Sequence, residues 1–358
     1  MTITTSPPNY ASAFCPACFA LAGIPSGGVD IEILSPSRPE PLGVKRLYAM
    51  PIEPYNSLLF NDIIIDESLS TASLNIAPYA RRLLTPTPLC GLGAGLHIGA
   101  GRTATCYISA PAGFRSESVM LCAGTEDAPP NTLLSAAPPT VRIALGEFDE
   151  LPVTSQDTVS AVVDFSHGGT TYTDLSIGRR NAPGILSAVV DTDAISRSFS
   201  ALTGVPPEEL TEFTVRLQLS ESGFTDRTLQ RRYIVDHNTQ TGRRLAWVNR
   251  FGAVDYHTFP TADELRSGGS HATIETSSGP RTVSTASRQS ARLLSGPCDV
   301  LTAEWLSEIF SSPAVWTVDG SQFEQVEVAP GETTISPTKP TTIAITLFPI
   351  SPNISRKF

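Results

Sequence analysis

The chain has 358 residues, 41% of them hydrophobic and 17% charged, with a formal net charge of −10. That length allows two or three domains, each burying its own core, and the acidic balance argues against a surface built to coat nucleic acid. Gly and Pro together make 56 residues, which suits many short strands joined by turns.

Basic residues are nearly all Arg, with Lys only at Lys45, Lys339 and Lys357. The six cysteines, at 15, 18, 90, 106, 122 and 298, are too sparse for a disulfide scaffold, so free thiols in a reducing cytoplasm are expected. The first ten residues, MTITTSPPNY, lack the basic and apolar regions of a signal peptide. The uncharged stretches 1–29 and 83–101 are broken by Pro and Gly, so no membrane insertion is expected.

Residues 1–28 read as an extended amino-terminal arm. A β domain is expected over 29–137. Its strands begin at Val29-Asp30-Ile31-Glu32-Ile33, whose apolar positions alternate, and continue at 44–50 and 57–65. Residues 71–84 suggest a strand running into a short helix. Cys90–Arg102, CGLGAGLHIGAGR, reads as a glycine-rich loop, the first candidate for a mobile contact element. Strands at 103–109 and 116–123 are expected to pair across the turn at Pro111-Ala112-Gly113.

A second sandwich-like domain is expected over 141–236. Residues 161–165 and 171–175 face each other across His167-Gly168-Gly169, a hairpin pattern. Ile195, Phe199 and Leu202 share one face of a short helix that Asp191 and Asp193 can cap and Gly204 can end. Strands follow at 213–219 and 232–235.

The last portion, 237–358, is expected to be a β module with one short helix. In RLAWVNRFGAVDYHTF, residues 244–259, period-two runs flank a glycine-containing turn. A Ser/Gly/Thr-rich run occupies 267–287. Thr302 can cap a helix carrying Trp305, Leu306, Ile309 and Phe310, with Pro313 beyond its end. Asp319-Gly320 signals a second hairpin, and Ile343, Ile345 and Leu347 a closing strand. The fold class is therefore mainly β, in two or three β-sandwich-like modules with a few short helices.

The hairpin at 244–259 and the helix–strand–DG–strand order of WLSEIFSSPAVWTVDG resemble tail-associated structural proteins of bacteriophages and prophages, the Bacteroidetes type especially. The resemblance covers roughly residues 230–350. It implies a virion protein of the tail or baseplate, assembled in the bacterial host cytoplasm, whose partners are other copies of itself and neighbouring virion proteins. It carries no catalytic residues to transfer.

No residue is assigned a catalytic, cofactor-binding or metal-ligating role. Cys15 and Cys18 form one C-x-x-C, whereas a structural zinc site needs four ligands. Gly91–Thr103 lacks the spacing and Lys of a phosphate loop. Ser166-His167-Gly168-Gly169 has no accompanying nucleophile elbow. A hydrolase would need a His, a carboxylate and a Ser or Cys to converge from distant positions. Arg81-Arg82, Arg179-Arg180 and Arg243-Arg244 are expected subunit contacts. The alternative reading is a carbohydrate- or receptor-binding protein for host attachment, with Trp247, Trp305, Trp316, Tyr256 and Phe259 as a stacking platform.

Overall fold

The computed structural model describes residues 1–25, 27–47, 63–66, 71–99, 101–111, 113–155, 158–220, 227–237, 242–349 and 356–357. The protein is mainly β, built as β-sandwich-like modules around separate hydrophobic cores.

The first module contains β1 (Thr2–Thr5), β2 (Ala11–Ser12), β3 (Cys18–Ala22), β4 (Val29–Ser35), β5 (Arg38–Leu47), β6 (Ile63–Asp66) and β7 (Thr71–Asn75). These are followed by α1 (Ala77–Ala80), β8 (Gly95–Ile98), β9 (Thr103–Ala110), β10 (Phe114–Arg115) and β11 (Val119–Cys122). A four-stranded sheet, β1-β3-β7-β6, packs on a six-stranded one, β2-β11-β9-β4-β5 with β10 beside β9. Ile31 and Ile33 of β4 meet Phe19, Leu21 and Leu74 in this core, while Asp30 and Glu32 alternate outward. Each such apolar side chain contributes roughly 2 kcal/mol on burial.

Residues 1–28, expected as an arm, instead supply three strands to this sandwich. Ala11, Ala13, Ala17, Phe19 and Leu21 are all buried, so prolines and glycines here turn the chain between short strands. Of the strands expected at 44–50 and 57–65, residues 44–47 and 63–65 lie in β5 and β6, and the rest lie outside the described residues.

The second module comprises β12 (Thr140–Ala144), β13 (Phe148–Ser155), β14 (Thr158–His167), β15 (Thr170–Asn181), β16 (Gly184–Asp191), α2 (Thr192–Thr203), β17 (Glu212–Ser220) and β18 (Arg227–Asp236). A five-stranded sheet, β12-β18-β17-β14-β15, faces a three-stranded sheet, β13-β16-β8. The β14–β15 hairpin closes through Gly168 and Gly169, both at positive φ, as its two-residue loop requires. Asp191 accepts hydrogen bonds from the Asp193 and Ala194 amides and caps α2, which ends at Gly204 with φ 76°. Ile195 and Phe199 face the core, whereas Leu202 points to solvent.

Strand β8 lies inside the segment expected to be a mobile glycine loop. Leu96 and Ile98 pair with Ala188 and Leu186 of β16, so this segment is an edge strand lent by one module to the next. Gly99 and Gly101 serve close packing. Gly101 has φ +69°, and a Cβ there would sit 2.2 Å from the Thr85 carbonyl oxygen.

The third module comprises β19 (Arg243–Val248), β20 (Val254–Phe259), β21 (Thr261–Thr276), β22 (Gly279–Cys298), α3 (Val300–Ser307), β23 (Val315–Asp319), β24 (Gln322–Val328), β25 (Thr341–Pro349) and β26 (Arg356–Lys357). All its strands join one eight-stranded sheet, β20-β19-β23-β24-β25-β22-β21, with β26 on β22. Helix α3 covers one face, its Trp305, Leu306 and Ala303 packing on Leu245, Trp247, Phe259, Ile343 and Ile345. Asp299 caps it through the Thr302 amide, so the cap lies three residues before the one expected. Strands β19 and β20 are buried on both faces, because Ala246, Val248, Val254 and Tyr256 turn to a second cluster against Phe148 of β13.

The Ser/Gly/Thr-rich run is a strand pair: β21 and β22 stay paired from Thr261↔Leu294 to Thr276↔Gly279. Strand β25 joins only at the base, from Ala291 to Cys298.

Candidate functional site

The three modules meet at a buried ionic junction organised by Glu147, just before β13, and Asp149 and Glu150 at its start. Successive strand residues point to opposite faces, so Asp149 and Glu150 reach different neighbours. Each of the three acids pairs with an arginine from elsewhere in the chain.

Glu150 is fully buried and lies 2.6 Å from Nη1 of Arg102, itself 0% exposed. The same nitrogen donates to Ser187 Oγ at 2.7 Å, and Nη2 donates to the Thr87 carbonyl at 3.0 Å. The other Glu150 oxygen accepts from Tyr256 Oη at 2.5 Å and from the Leu89 amide at 2.9 Å. One carboxylate therefore joins the first module (Arg102), the second (Glu150, Ser187) and the third (Tyr256). Burial, and then the Glu150 charge, hold the Tyr256 phenol well above its ordinary pKa, so it remains a donor.

On the other face, Arg231 Nη1 approaches Asp149 Oδ2 at 3.7 Å, with both side chains buried. Desolvation raises the Asp149 pKa against the pull of Arg231 and Arg244. Arg244 donates to Glu147 Oε2 at 3.0 Å, to Thr258 Oγ1 at 2.8 Å and to the Phe148 carbonyl at 2.5 Å. Glu147 is partly desolvated, yet Arg244 and the Ala144 amide bring its pKa below the usual range. Asp255 is buried, accepts from Trp305 Nε1 at 2.8 Å, and is raised by desolvation.

The turn of the 244–259 hairpin joins the first module to the third. Asn249 Oδ1 accepts from the Phe251 and Ala253 amides, and its Nδ2 donates to the Leu134 carbonyl at 2.6 Å. Gly252, at φ +81°, lies against Gly124; a Cβ on either would come within 2.4 Å of the other segment's backbone. Tyr10 is buried beside Cys122 and Ala253, donating to the Ser155 carbonyl at 2.8 Å and accepting from the Gly184 amide at 3.2 Å.

The residue types a nucleophilic hydrolase uses do converge in one cleft. His257, Ser295, Cys298 and Asp299 line a 290 Å³ space between the second and third modules, with Thr140, Arg142 and Trp305. Their bonding is unlike an activated set. Cys298 donates to the Thr341 carbonyl at 3.0 Å, and burial raises its thiol pKa. Asp299 is occupied in capping α3. Desolvation pushes His257 down to about 4, so it is neutral at ordinary pH. A thiol needs a lowered pKa to attack, and this environment does the reverse.

The expected aromatic platform is core. Trp247, Trp305, Trp316, Tyr256 and Phe259 are each 5% exposed or less, because both faces of β19–β20 are covered. Phe323 is an exposed aromatic of this sheet, in a 510 Å³ groove with Arg243, Thr317, Gln322 and Glu324. Of the arginine pairs, Arg244 is internal, Arg81 Nε donates to the Ala13 carbonyl, and Arg179, Arg180 and Arg243 are exposed. Cys15 is exposed and Cys18 opens β3. Among the described residues, no group of three or more His, Cys, Asp or Glu is placed to hold a metal.

No motif or spacing in the sequence marks the acids of GEFDE or their partner Arg231. The available signal was a run of three carboxylates entering an apolar strand in a chain poor in charge.

No protein-family model matches the chain, and no curated protein matches it. A solved structure described as "Crystal structure of DIP-gamma IG1+IG2" is similar over 66% of this chain and 98% of that one, at 12% identity and a TM-score of 0.19. A score that low bears on neither topology nor function.

Proposed function

We propose that this chain is a structural, non-enzymatic component of a phage virion, of the tail or baseplate, acting through subunit–subunit assembly. The observation that carries the proposal is the β21–β22 ribbon. Beyond the reach of β25 it continues as a strand pair, joined on β22 by the short β26, projecting from a body whose modules are tied together by buried ion pairs. A rigid block with a projecting strand pair is suited to building an array and has no evident use in turning over a substrate. The resemblance of residues 230–350 to phage tail proteins supplies the particle.

Immunogold electron microscopy of particles induced from the host tests this, using antibody raised against the purified chain. Label on the tail or baseplate is the expected result, and particles free of the chain would sink the proposal. A second reading, host attachment through a carbohydrate or receptor, is favoured by the groove at Phe323. An exposed ring beside an arginine, an amide and a carboxylate provides both stacking and hydrogen bonding for a sugar. Glycan-array binding lost in Phe323→Ala would support that reading.

A further inference from the structure

The seam where the turn of the 244–259 hairpin meets the first module carries an unbalanced set of charges. Arg250 Nε lies 3.4 Å from Glu308 Oε1 and 3.8 Å from Glu126 Oε2, so one guanidinium stands between a carboxylate of each module. Glu308 opens the short 3-10 helix Glu308–Ser311 that continues α3, and Glu126 belongs to the loop after β11. The backbone repeats the bridge on both sides. The Arg250 amide donates to Glu308 Oε2 at 3.3 Å, and the Arg250 carbonyl accepts from the Glu126 amide at 2.9 Å. Gly124 fits against the same carbonyl, where a Cβ would lie 2.2 Å from its oxygen. Residues 124–126 therefore feel any movement of Arg250 directly.

The two carboxylates differ in their access to water. Glu126 is 56% exposed and stays solvated, whereas Glu308 is 12% exposed. The charged groups that face Glu308 are Asp255 from β20, Arg250 from the hairpin turn and Glu126 from the first module. Two of the three are acids, and the buried Asp255 is itself met by Arg231 of β18. Burial and neighbouring negative charge both favour the neutral form of a carboxyl group. Burial, followed by the Asp255 charge, raises the Glu308 pKa from 4.5 to about 7. Near neutrality the native state thus holds a proton that the unfolded chain releases.

The two protonation states load the seam differently. With Glu308 neutral, the charge of Arg250 is left to Glu126 and draws the first module in. With Glu308 ionised, it competes for the same guanidinium and sets a second negative charge opposite Glu126, which pushes the loop outward.

We infer that the Glu126–Arg250–Glu308 triad is a proton-operated latch between the first and third modules, closed while Glu308 holds its proton and loosened when that proton leaves. The latch stands apart from the assembly reading, and neither depends on the other.

The test is hydrogen exchange of the full chain at about pH 6 and about pH 8.5, corrected for the intrinsic pH dependence of amide exchange. The reporting amides are Glu126, bonded to Arg250, and Gly252, bonded to Asn249; the β14–β17 ladder of the second module is the internal reference. If the Glu308 pKa returns to 4.5 on opening, the seam opens about tenfold more at the higher pH. Protection at the two reporting amides is expected to fall by that factor while the ladder holds. Glu308→Gln, which keeps the acceptor oxygen and removes the charge, is expected to stay protected at both values. Glu126→Gln, at an exposed position, is expected to shrink the response by removing the repulsion. Wild-type protection that does not change with pH would overturn the latch. So would a Glu308→Gln seam that is open at both values, since the pair would then be a permanent brace, or an equal loss at the reference ladder, which would mark a global effect.

Discussion

Arg102 and Glu150 set the energetic logic of the junction. Two charges removed from water lose several kcal/mol of solvation each, and the pair recovers this only through close geometry and further hydrogen bonds. Here Ser187, Thr87, Tyr256 and Leu89 provide those bonds, so the pair adds little net stability while strongly penalising misplacement of any module. Glu150→Gln leaves a buried guanidinium without its counter-charge, and guanidinium denaturation should show a loss of about 3–5 kcal/mol. The double variant Arg102→Met with Glu150→Leu should be less destabilised than Glu150→Gln alone. Strictly additive losses would contradict this account.

His257 gives a pH dependence with a definite sign. Its folded pKa of about 4 lies below the ordinary value near 6.5, so between those values the unfolded chain binds a proton that the native state does not. Stability from this group is present above about pH 6.5 and falls as pH drops toward 4, by roughly 1 kcal/mol between pH 7.5 and 5.5. Glu308 acts oppositely. Burial, followed by the nearby Asp255 charge, raises it to about 7, so its contribution falls as pH rises from about 4.5 to about 7. The wild-type slope is a sum, and the His term is read from the difference between wild type and His257→Phe. Identical melting-temperature profiles from pH 7.5 to 5.5 would refute it.

At the scale of elements, the turn of the 244–259 hairpin is shaped by contact as much as by local conformation. Gly320 and Gly252 both adopt positive φ, but a Cβ on Gly320 meets open space whereas one on Gly252 lies 2.4 Å from the Gly124 amide nitrogen. Gly320→Ala should therefore cost only the left-handed backbone strain, roughly 1 kcal/mol. Gly252→Ala adds overpacking and should cost about 3 kcal/mol by urea denaturation. Equal losses would mean that the first module does not press on this turn.

Across the whole molecule, β8 crosses into the second module, Tyr10 and Asn249 bond across module boundaries, and the acids at 147–150 are paired to arginines from all three modules. The modules should unfold as one cooperative unit: scanning calorimetry should give a single transition with matching calorimetric and van't Hoff enthalpies. Resolved transitions would show modules that merely touch.

The sequence by itself determined the β class, the β14–β15 hairpin, the Asp319-Gly320 turn, the cap at Asp191 and the closing strand at Ile343, Ile345 and Leu347. Each depends on period-two alternation or on backbone preferences of a few adjacent residues, which are local properties. The tertiary structure decided the rest. Residues 2–22 became sandwich strands, Leu96-His97-Ile98 became an edge strand, and the tryptophans became core. Arg102, Glu150 and Tyr256 lie far apart in the chain, and only folding brings them within hydrogen-bonding reach. A charge in a list of residues carries no mark of burial; that depends on which distant surfaces close over it.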